Sequence, residues 1–289
     1  DQRGGYYMFN TETGSTRFIG WVNSTLKDAR MNPVRTVRYK ARDGKEIAAV
    51  LTLPRLREAR NLPLIVLPHG GPWARDTESW DMWAQPLAEL GYAVIQPNYR
   101  GSSGFGKEWE AMSDGNWGTA MQDDLDDSVT HLAQQGIADP KRVCVMGWSY
   151  GGYAAARAAQ RNPDKYRCAI AGAGVYDLPR MVAYDRDYLG QYGSKYIGAA
   201  ASRLADVSPS QHTSGKWAPI LIVHGAKDQR VPVAQGRLLA DKLRASGKVE
   251  GRDFRYVEQP KNTHNFPFES DMVQWLEEAA KWLAEHNPA

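Results

Sequence analysis

The 289-residue sequence is poor in cysteine and has no long apolar run. Its two cysteines, Cys144 and Cys168, are too few for a disulfide framework and lack the CxxC spacing of a zinc site. We therefore predict two buried free thiols on neighbouring strands, a pattern that leaves the redox compartment open. Apolar stretches such as Leu64 to Leu67 fall far short of the roughly 18 residues that a membrane helix needs, so no membrane partner is predicted.

Neither sign of charge dominates the chain. There are 36 Lys and Arg against 33 Asp and Glu, which gives a net charge of +3, and the signs alternate without a basic run. This pattern predicts no nucleic-acid partner. A hydrophobic content of 42% with 24% charged residues excludes wholesale disorder. No charged-then-apolar leader follows Asp1, so we expect that a targeting signal is absent or has been removed.

The N-terminal part has the alternation of antiparallel strands. Tyr6 to Asn10 and Ser15 to Trp21 flank a turn and predict a hairpin, which alone is marginally stable in water. We therefore expect residues 1–33 to be an edge of the main domain or the end of something larger. A second hairpin is predicted from Val34 to Lys40 and from Glu46 to Leu53, around Asp43-Gly44.

From residue 62 onward, buried strands alternate with helices. The predicted strands are continuous apolar runs, which suit parallel strands covered on both faces: Leu64–Leu67, Ala93–Gln96, Val143–Met146, Cys168–Ala171, Ile220–Val223 and Phe254–Val257. The predicted helices have apolar residues at helical spacing: Met82–Leu90, Leu125–Gln134, Tyr153–Gln160, Val233–Ser246 and Asp271–His286. This order predicts an α/β fold with a mostly parallel, doubly wound sheet and helices on both faces. Residues 178–215 are predicted to form cap-like helices over the edge of the sheet.

One serine lies in the setting of a catalytic nucleophile. Gly147-Trp148-Ser149-Tyr150-Gly151 matches GxSxG between a buried strand and a helix, and a sharp turn there requires small residues around the serine. Such a turn exposes the Ser149 hydroxyl at a helix N-terminus, which favours developing negative charge. Ser102 and Ser103 lack this strand-to-helix setting.

An acid and a base follow in the order that α/β-hydrolases use, which is Ser, then Asp or Glu, then His. Asp228 and His264 each lie in a loop after a predicted strand, so Ser149, Asp228 and His264 are predicted to form a triad. Asp177 is an alternative acid. His224 is predicted to pack or hydrogen-bond within its own loop, and three further histidines are predicted to lie at the surface: His131, His212 and His286.

Acyl transfer also needs N–H donors for the oxyanion of the tetrahedral intermediate. One donor is expected to be the Tyr150 backbone. The other is expected in His69-Gly70-Gly71-Pro72, after the first parallel strand, with Gly71 favoured over Gly70. The acidic run at residues 123–127 misses the calcium-loop pattern and is assigned to the first turn of a helix. No metal site is predicted.

Several motifs together resemble the catalytic domain of the prolyl oligopeptidase family of serine peptidases, in particular its acylaminoacyl-peptidase and dipeptidyl-peptidase-like members. They are His69-Gly70-Gly71-Pro72, Asn98-Tyr99-Arg100-Gly101-Ser102, Gly147 to Gly152, His224 to Pro232, and His264. The resemblance covers residues 34–289. It implies an α/β-hydrolase domain that cleaves short peptides through an acyl-enzyme and without a cofactor.

The resemblance also implies a partner domain and a substrate pocket. Family members carry a β-propeller before this domain, so residues 1–33 are expected to be its remnant and the chain a C-terminal fragment. By analogy with the family, the pocket for an apolar or aromatic side chain, proline included, is expected to be lined by Trp148, Val175, Met181, Tyr184 and Tyr188. The loop at residues 261–265 is more polar than in relatives, which leaves the placement of His264 open. The oligomeric state, a homo-oligomer included, is also left open.

Two other functions compete with the peptidase. A carboxylesterase would use the same triad on small esters. A noncatalytic binding module would use the hydrolase fold as a scaffold and should lack a triad member, yet the sequence has a candidate for every position.

Overall fold

The computed structural model describes residues 4–26, 29–189, 197 and 201–289. Its first element is the predicted N-terminal hairpin, formed by β1 (Gly5–Phe9) and β2 (Thr16–Trp21). Within the described residues, the two strands pair with each other and with no third strand. The Asn10 side chain closes the turn by accepting hydrogen bonds from the amides of Glu12 and Thr13, each at 2.9 Å. The hairpin is followed by a short 3-10 helix at Ser24–Leu26.

The remaining strands form one eight-stranded sheet. They are β3 (Val34–Lys40), β4 (Glu46–Thr52), β5 (Leu62–Val66), β6 (Ala93–Pro97), β7 (Ala138–Trp148), β8 (Cys168–Gly172), β9 (Ile220–Gly225) and β10 (Phe254–Gln259). Their order is β10-β9-β8-β7-β5-β6-β4-β3. The second predicted hairpin, β3 and β4, forms the antiparallel margin, while β6, β5 and β7 to β10 pair in parallel. The predicted α/β fold is confirmed.

Helices cover the sheet on both faces. Those described are α1 (Ala84–Glu89), α2 (Lys107–Ala111), α3 (Ala120–Gln134), α4 (Tyr150–Arg161), α5 (Leu178–Leu189), α6 (Ala201–Asp206), α7 (Ala234–Ala245) and α8 (Glu269–His286), with a 3-10 helix at Pro209–Gln211. The predicted region of extra helices, residues 178–215, holds α5 and α6, and residues 190–196 and 198–200 lie outside the described part. No helix among the described residues has the length and apolar character to cross a membrane.

The core lies in two layers, one on each face of the sheet. On one face, residues of α3 and α4 pack on the sheet, with Leu125 and Tyr153 fully buried. On the other face, α1 and α8 contribute Leu87, Trp275 and Trp282. Burial on both faces explains why the central strands are almost continuously apolar. The carboxyl ends of the parallel strands are thereby held along one rim.

The two cysteines correct our prediction of free thiols. Cys144 in β7 and Cys168 in β8 are buried on neighbouring strands, as expected, but they form a disulfide. The two residues are direct partners in the parallel ladder, with their Cα atoms 4.8 Å apart. That separation lies in the range in which a disulfide can form. The bond closes a loop that contains the whole of α4.

The acidic run at residues 123–127 also differs from the prediction. Helix α3 begins at Ala120, so Asp123 alone is an acid of its first turn. Asp124 is completely buried and accepts two hydrogen bonds from the Arg100 guanidinium, at 2.6 and 2.9 Å. Asp126 is also buried and accepts a hydrogen bond from the hydroxyl of Tyr166 at 2.6 Å. Buried hydrogen-bond donors, rather than the helix dipole, explain why Asp124 and Asp126 lie at these positions.

Candidate active site

Ser149 lies at the sharp turn between β7 and α4. Its backbone has φ 60° and ψ −120°, a conformation that a residue with a side chain rarely adopts. The neighbouring positions require glycine because a side chain there would collide with nearby backbone atoms. A Cβ atom on Gly151 would lie 2.2 Å from the carbonyl oxygen of Pro68, and one on Gly152 would lie 2.1 Å from that of Gly172. The predicted strand, turn and helix around Ser149 are therefore all present.

The structure brings the three predicted side chains together. His264 Nε2 lies 2.9 Å from Ser149 Oγ, and His264 Nδ1 lies 2.7 Å from Asp228 Oδ2. Asp228 follows β9 and His264 follows β10, so both loops leave the same rim of the sheet as the turn at Ser149. Parallel strands place their carboxyl ends side by side, which explains how residues 115 positions apart come into contact.

The Asp228 carboxylate is held on both oxygens. Oδ1 accepts hydrogen bonds from the backbone amides of Arg230 at 2.9 Å and Val231 at 2.8 Å, which leaves Oδ2 facing His264. The carboxylate is buried, so its charge is poorly screened. An anion in this position favours the His264 tautomer with the proton on Nδ1 and leaves Nε2 as an acceptor for the Ser149 hydroxyl.

Asp177, the alternative acid, lies in a different environment. Its Oδ2 accepts hydrogen bonds from Gln211 Nε2 at 2.6 Å and from Ser210 Oγ at 3.1 Å, and its Oδ1 caps the first turn of α5. These contacts tie the 3-10 helix at Pro209–Gln211 to the start of α5. The geometry therefore favours Asp228 over Asp177 as the partner of His264.

The contacts described for His131, His212, His224 and His286 do not include one with Ser149, although His224 Nε2 lies 3.7 Å from Asp228 Oδ2. His224 is completely buried and bonded to the carbonyl of Val231 at 2.9 Å, and burial lowers its pKa. His131 lies in α3, where burial also lowers its pKa. His212 and His286 contact backbone carbonyl groups of Ala205 and Trp282. The packing predicted for His224 is confirmed, whereas His131, which was predicted to lie at the surface, is half-buried beside Tyr39 with its Nε2 buried.

The loop after β5 lies directly against the nucleophile turn. A Cβ atom on Gly70 would lie 3.3 Å from the carbonyl oxygen of Trp148 and 3.5 Å from Ser149 Cβ. Gly71 has φ +121°, and a Cβ atom there would lie 2.5 Å from the amide nitrogen of Trp73. Tyr150 begins α4, where a backbone N–H has no acceptor within its own helix. Tyr150 is thus the residue next to Ser149, and Gly71 is the residue next to Gly70, which lies against the serine turn.

Three of the predicted pocket residues are buried. Val175 and Met181 keep only 4% and 1% of their surface exposed, belong to the core layer, and are not among the residues that line the cavity described below. Trp148 is 7% exposed, and its ring packs against Trp83, Phe266 and Trp275. Apolar character alone did not distinguish these core residues from pocket residues. The side chain of Tyr188 lies outside the described residues.

Beside His264 the structure has an open cavity of about 480 Å³. Among the predicted pocket residues Tyr184 lines it, and its hydroxyl donates a hydrogen bond to the carbonyl of Gln229 at 2.6 Å. The other lining residues are mostly polar: Lys227, Gln229, Arg230, Thr263, His264 and Asn265. Apart from His264, the sequence analysis did not assign these residues to the site, although each lies within two positions of Asp228 or His264.

No cluster of three or more His, Cys, Asp or Glu side chains that could hold a metal ion occurs within the described ranges. The candidate site is instead built from the serine turn, the two loops of Asp228 and His264, and the glycine pair after β5.

Comparisons with known proteins identify the family of this chain. A family model described as "Prolyl oligopeptidase family" matches residues 79–288. A dipeptidyl aminopeptidase BIII from Pseudoxanthomonas mexicana is 32% identical over 276 residues, which covers 90% of this chain and 40% of the relative. An acylamino-acid-releasing enzyme from Mus musculus is 29% identical over 218 residues, which covers 70% of this chain and 28% of the relative.

Solved structures share the fold over nearly the whole chain. A puromycin-hydrolyzing peptidase of Mycobacterium tuberculosis superposes with a TM-score of 0.89 at 24% identity, covering 98% of this chain and 44% of that one. An acylaminoacyl peptidase in complex with Z-Gly-Gly-Phe-chloromethyl ketone superposes with a TM-score of 0.87 at 21% identity, covering 99% and 47%. The fold is that of the α/β-hydrolases. The chain belongs to the prolyl oligopeptidase family, and it spans less than half the length of these relatives.

Proposed function

We propose that this chain is the catalytic part of a serine peptidase that hydrolyses short peptides through an acyl-enzyme. The continuous contact from Ser149 through His264 to Asp228 carries the proposal, because a serine hydroxyl is inert at neutral pH without an adjacent base. Membership of the prolyl oligopeptidase family supports a peptide substrate. The names of the relatives describe dipeptidyl and acylamino-acid units, and we propose that this chain releases units of this kind.

In the proposed reaction, Ser149 Oγ attacks the carbonyl carbon of the scissile bond while His264 Nε2 takes the hydroxyl proton. Asp228 stabilises the imidazolium that forms. The backbone N–H groups of Gly71 and Tyr150 donate hydrogen bonds to the oxyanion. When the tetrahedral intermediate collapses, His264 gives the proton to the leaving amine. A water molecule then releases the acyl group by the same steps, and Ser149 regains its proton.

We propose that the substrate occupies the cavity beside His264. Its lining includes Lys227 and Arg230, and the Arg230 guanidinium is paired with Asp185 at 3.0 Å. Tyr184 supplies the aromatic surface that the sequence analysis predicted for this pocket.

We also propose that residues 1–33 are the end of a β-propeller that precedes residues 34–289. The hairpin of β1 and β2 forms its own sheet and exposes large apolar side chains that a soluble domain normally covers: Tyr6, Tyr7, Met8, Phe9, Phe18, Ile19, Trp21 and Val22. Removal of residues 1–26 should leave the free energy of unfolding within about 1 kcal/mol of that of the whole chain. A loss of several kcal/mol would show instead that the hairpin belongs to the hydrolase domain.

The central test is covalent labelling with a fluorophosphonate, which reacts with activated serines. Ser149→Ala should abolish labelling, whereas Ser103→Ala, a half-buried serine of the loop after β6, should leave it unchanged. Labelling that persists in Ser149→Ala would refute the assignment. Turnover of acyl-peptide anilides should then exceed background in the wild-type chain. Turnover of p-nitrophenyl esters alone would favour a carboxylesterase.

A further inference from the structure

Two buried amide side chains lie at the start of the loop that carries His264. Gln259 is the last residue of β10, and Asn262 lies two residues before His264. Both residues are fully buried. Asn262 Nδ2 donates a hydrogen bond to Gln259 Oε1 at 2.7 Å. No step of the proposed reaction uses either residue.

Helix α8 sets the direction of this hydrogen bond. Gln259 Nε2 donates to the backbone carbonyl of Asp271 at 2.7 Å and to Gln274 Oε1 at 3.1 Å, so both of its N–H groups have acceptors. A carbonyl oxygen can only accept, which fixes the side of the Gln259 amide that carries Nε2. Gln259 Oε1 therefore faces Asn262, and Asn262 must present its NH2 group to it. The amide pair thus links the His264 loop to α8.

The same two residues also hold the loop of Asp228. The Gln259 carbonyl accepts a hydrogen bond from the Ala226 amide at 2.9 Å. The Asn262 carbonyl accepts one from the Lys227 amide at 3.0 Å. Ala226 and Lys227 directly precede Asp228 in the sequence. The placement of Asn262 therefore bears on the separation between the acid and the base.

Asn262 occupies its position at a cost in stability. Its Oδ1 is buried and has no hydrogen-bond partner among the described residues. A buried acceptor without a partner lowers stability by about 1–3 kcal/mol. An apolar side chain of similar size would avoid this cost, but it could not donate to Gln259. Precise placement of the loop therefore explains the buried amide better than stability does.

We infer that Gln259 and Asn262 are positioning residues for proton transfer at the triad. Their hydrogen bond fixes the His264 loop between α8 and the Asp228 loop. The imidazole is thereby kept in contact with both Asp228 and Ser149. This inference rests on the proposed function, because it needs His264 to be the base.

Two single variants test the inference. Asn262→Ala removes the donor, and Gln259→Met removes the acceptor at similar side-chain length. Since a misplacement of about 1 Å can cost about 10²-fold in rate, we expect kcat for an acyl-peptide anilide to fall about 10–100-fold, with KM changed by less than about 3-fold. The rate of fluorophosphonate labelling at Ser149 should fall in parallel. The low-field proton NMR resonance of the His264 Nδ1–H, which reports its hydrogen bond to Asp228, should weaken or shift.

The two side chains should act as one unit. Because they meet in a single hydrogen bond, the double variant should be no more than about 3-fold slower than Gln259→Met alone. Independent effects would multiply instead, and a double variant slowed by the product of the two single effects would contradict the pairing.

Asn287→Ala is the matched control. Asn287 is also fully buried, donates through Nδ2 to the Arg142 carbonyl at 3.3 Å, and has a buried Oδ1 without a partner in the described structure. It lies at the far end of α8, about 24 Å along the helix axis from Asp271. Asn287→Ala should lower the free energy of unfolding about as much as Asn262→Ala, while kcat, the labelling rate and the NMR resonance stay unchanged.

The outcomes separate this inference from the proposed function. Absence of labelling at Ser149 in the wild-type chain would overturn the proposed function itself. A labelled wild-type chain whose Asn262→Ala and Gln259→Met variants keep kcat and the NMR resonance would overturn the positioning role alone. A loss confined to KM, or an equal loss of kcat in Asn287→Ala, would also overturn it. If Asn262→Ala does not fold, Gln259→Met decides by the same measurements.

Discussion

The indole nitrogen of Trp148 donates a hydrogen bond to the backbone carbonyl oxygen of His264, at 2.9 Å. The residue before the nucleophile thus holds the backbone of the proposed base, on a loop that comes from a different strand. The Trp148 ring is fixed in turn by Trp83, Phe266 and Trp275. Its packing places the His264 loop against the serine turn, which is why we assign Trp148 to the frame of the site rather than to a substrate pocket.

We predict that Trp148→Phe slows the reaction of Ser149 with a fluorophosphonate about 10-fold, because a lost hydrogen bond of about 1 kcal/mol frees the His264 loop. Trp275→Phe is the matched control. This substitution also removes an indole ring from the cluster around Trp148, but the Trp275 indole nitrogen has no hydrogen-bond partner among the described residues. Trp275→Phe should change the labelling rate by less than about 2-fold, even if it lowers the free energy of unfolding as much as Trp148→Phe does. Equal labelling rates in the two variants would contradict a role for the hydrogen bond from Trp148 to His264 in holding the His264 loop.

A second prediction concerns Asp76 and pH. Burial and the nearby Asp81 raise the pKa of Asp76 to about 7, and its Oδ2 is buried without a partner in the described structure. An unfolded Asp has a pKa of about 3.9. Between about pH 4 and pH 7 the folded chain therefore keeps a proton that the unfolded chain has released. This contribution to the free energy of unfolding is present below pH 4 and is lost as pH rises through 7.

Asp76→Asn keeps the shape of the side chain and cannot ionise. We expect the variant to be more stable than the wild-type chain by about 1–3 kcal/mol at pH 8, with the difference shrinking towards zero at pH 4.5. Urea unfolding at the two pH values measures both differences. Asp241→Asn, at an exposed carboxylate paired with Arg244, serves as the control and should show no comparable gain at pH 8. A gain for Asp76→Asn that is the same at both pH values would contradict the buried ionisation.

Much of this architecture follows from the sequence because its patterns reflect local physics. Continuous apolar runs identified the strands, and the glycines around Ser149 identified a turn that their contacts now explain. The triad was predictable because chain order and strand ends determine which loops share a rim. Long-range packing was not predictable in the same way. Whether Val175 fills the core or lines a pocket depends on what covers it, and no periodicity encodes that.

The start of α3 illustrates the same limit. The acids at its N-terminal end looked like favourable charges at a helix dipole, yet Asp124 is buried with Arg100, which lies 24 residues earlier in the sequence. A buried pair of this kind depends on tertiary contact rather than on local sequence. The cations of the cavity, Lys227 and Arg230, were overlooked for a related reason. Their positions beside Asp228 are visible in the sequence, but the cavity that they line is not.

The Arg100–Asp124 pair leads to a third prediction. Arg100 is 6% exposed and Asp124 is fully buried, and Arg100 also pairs with Asp43 at 2.9 Å. Removing one partner of a buried pair leaves an uncompensated charge, which costs about 3–5 kcal/mol. Asp124→Asn should therefore lower the free energy of unfolding by about that amount in urea titrations. Glu46→Gln, in the exposed pair with Arg38, should cost less than about 1 kcal/mol. Similar losses in the two variants would contradict a dominant role for burial.

The disulfide between Cys144 and Cys168 leads to the fourth prediction. Both residues are fully buried, so the bond should be protected in the folded chain. In denaturant without reductant, a thiol reagent should modify no cysteine, and after reduction it should modify both. The closed loop spans a sequence separation of 24, for which chain entropy predicts a stabilisation of about 3 kcal/mol. The double variant Cys144→Ala with Cys168→Ala should lose about that amount relative to the oxidised wild-type chain, and much less relative to the reduced one. Two reactive thiols in unreduced, denatured protein would restore the free-thiol prediction and show that neighbouring positions in the β7–β8 ladder do not suffice for the bond.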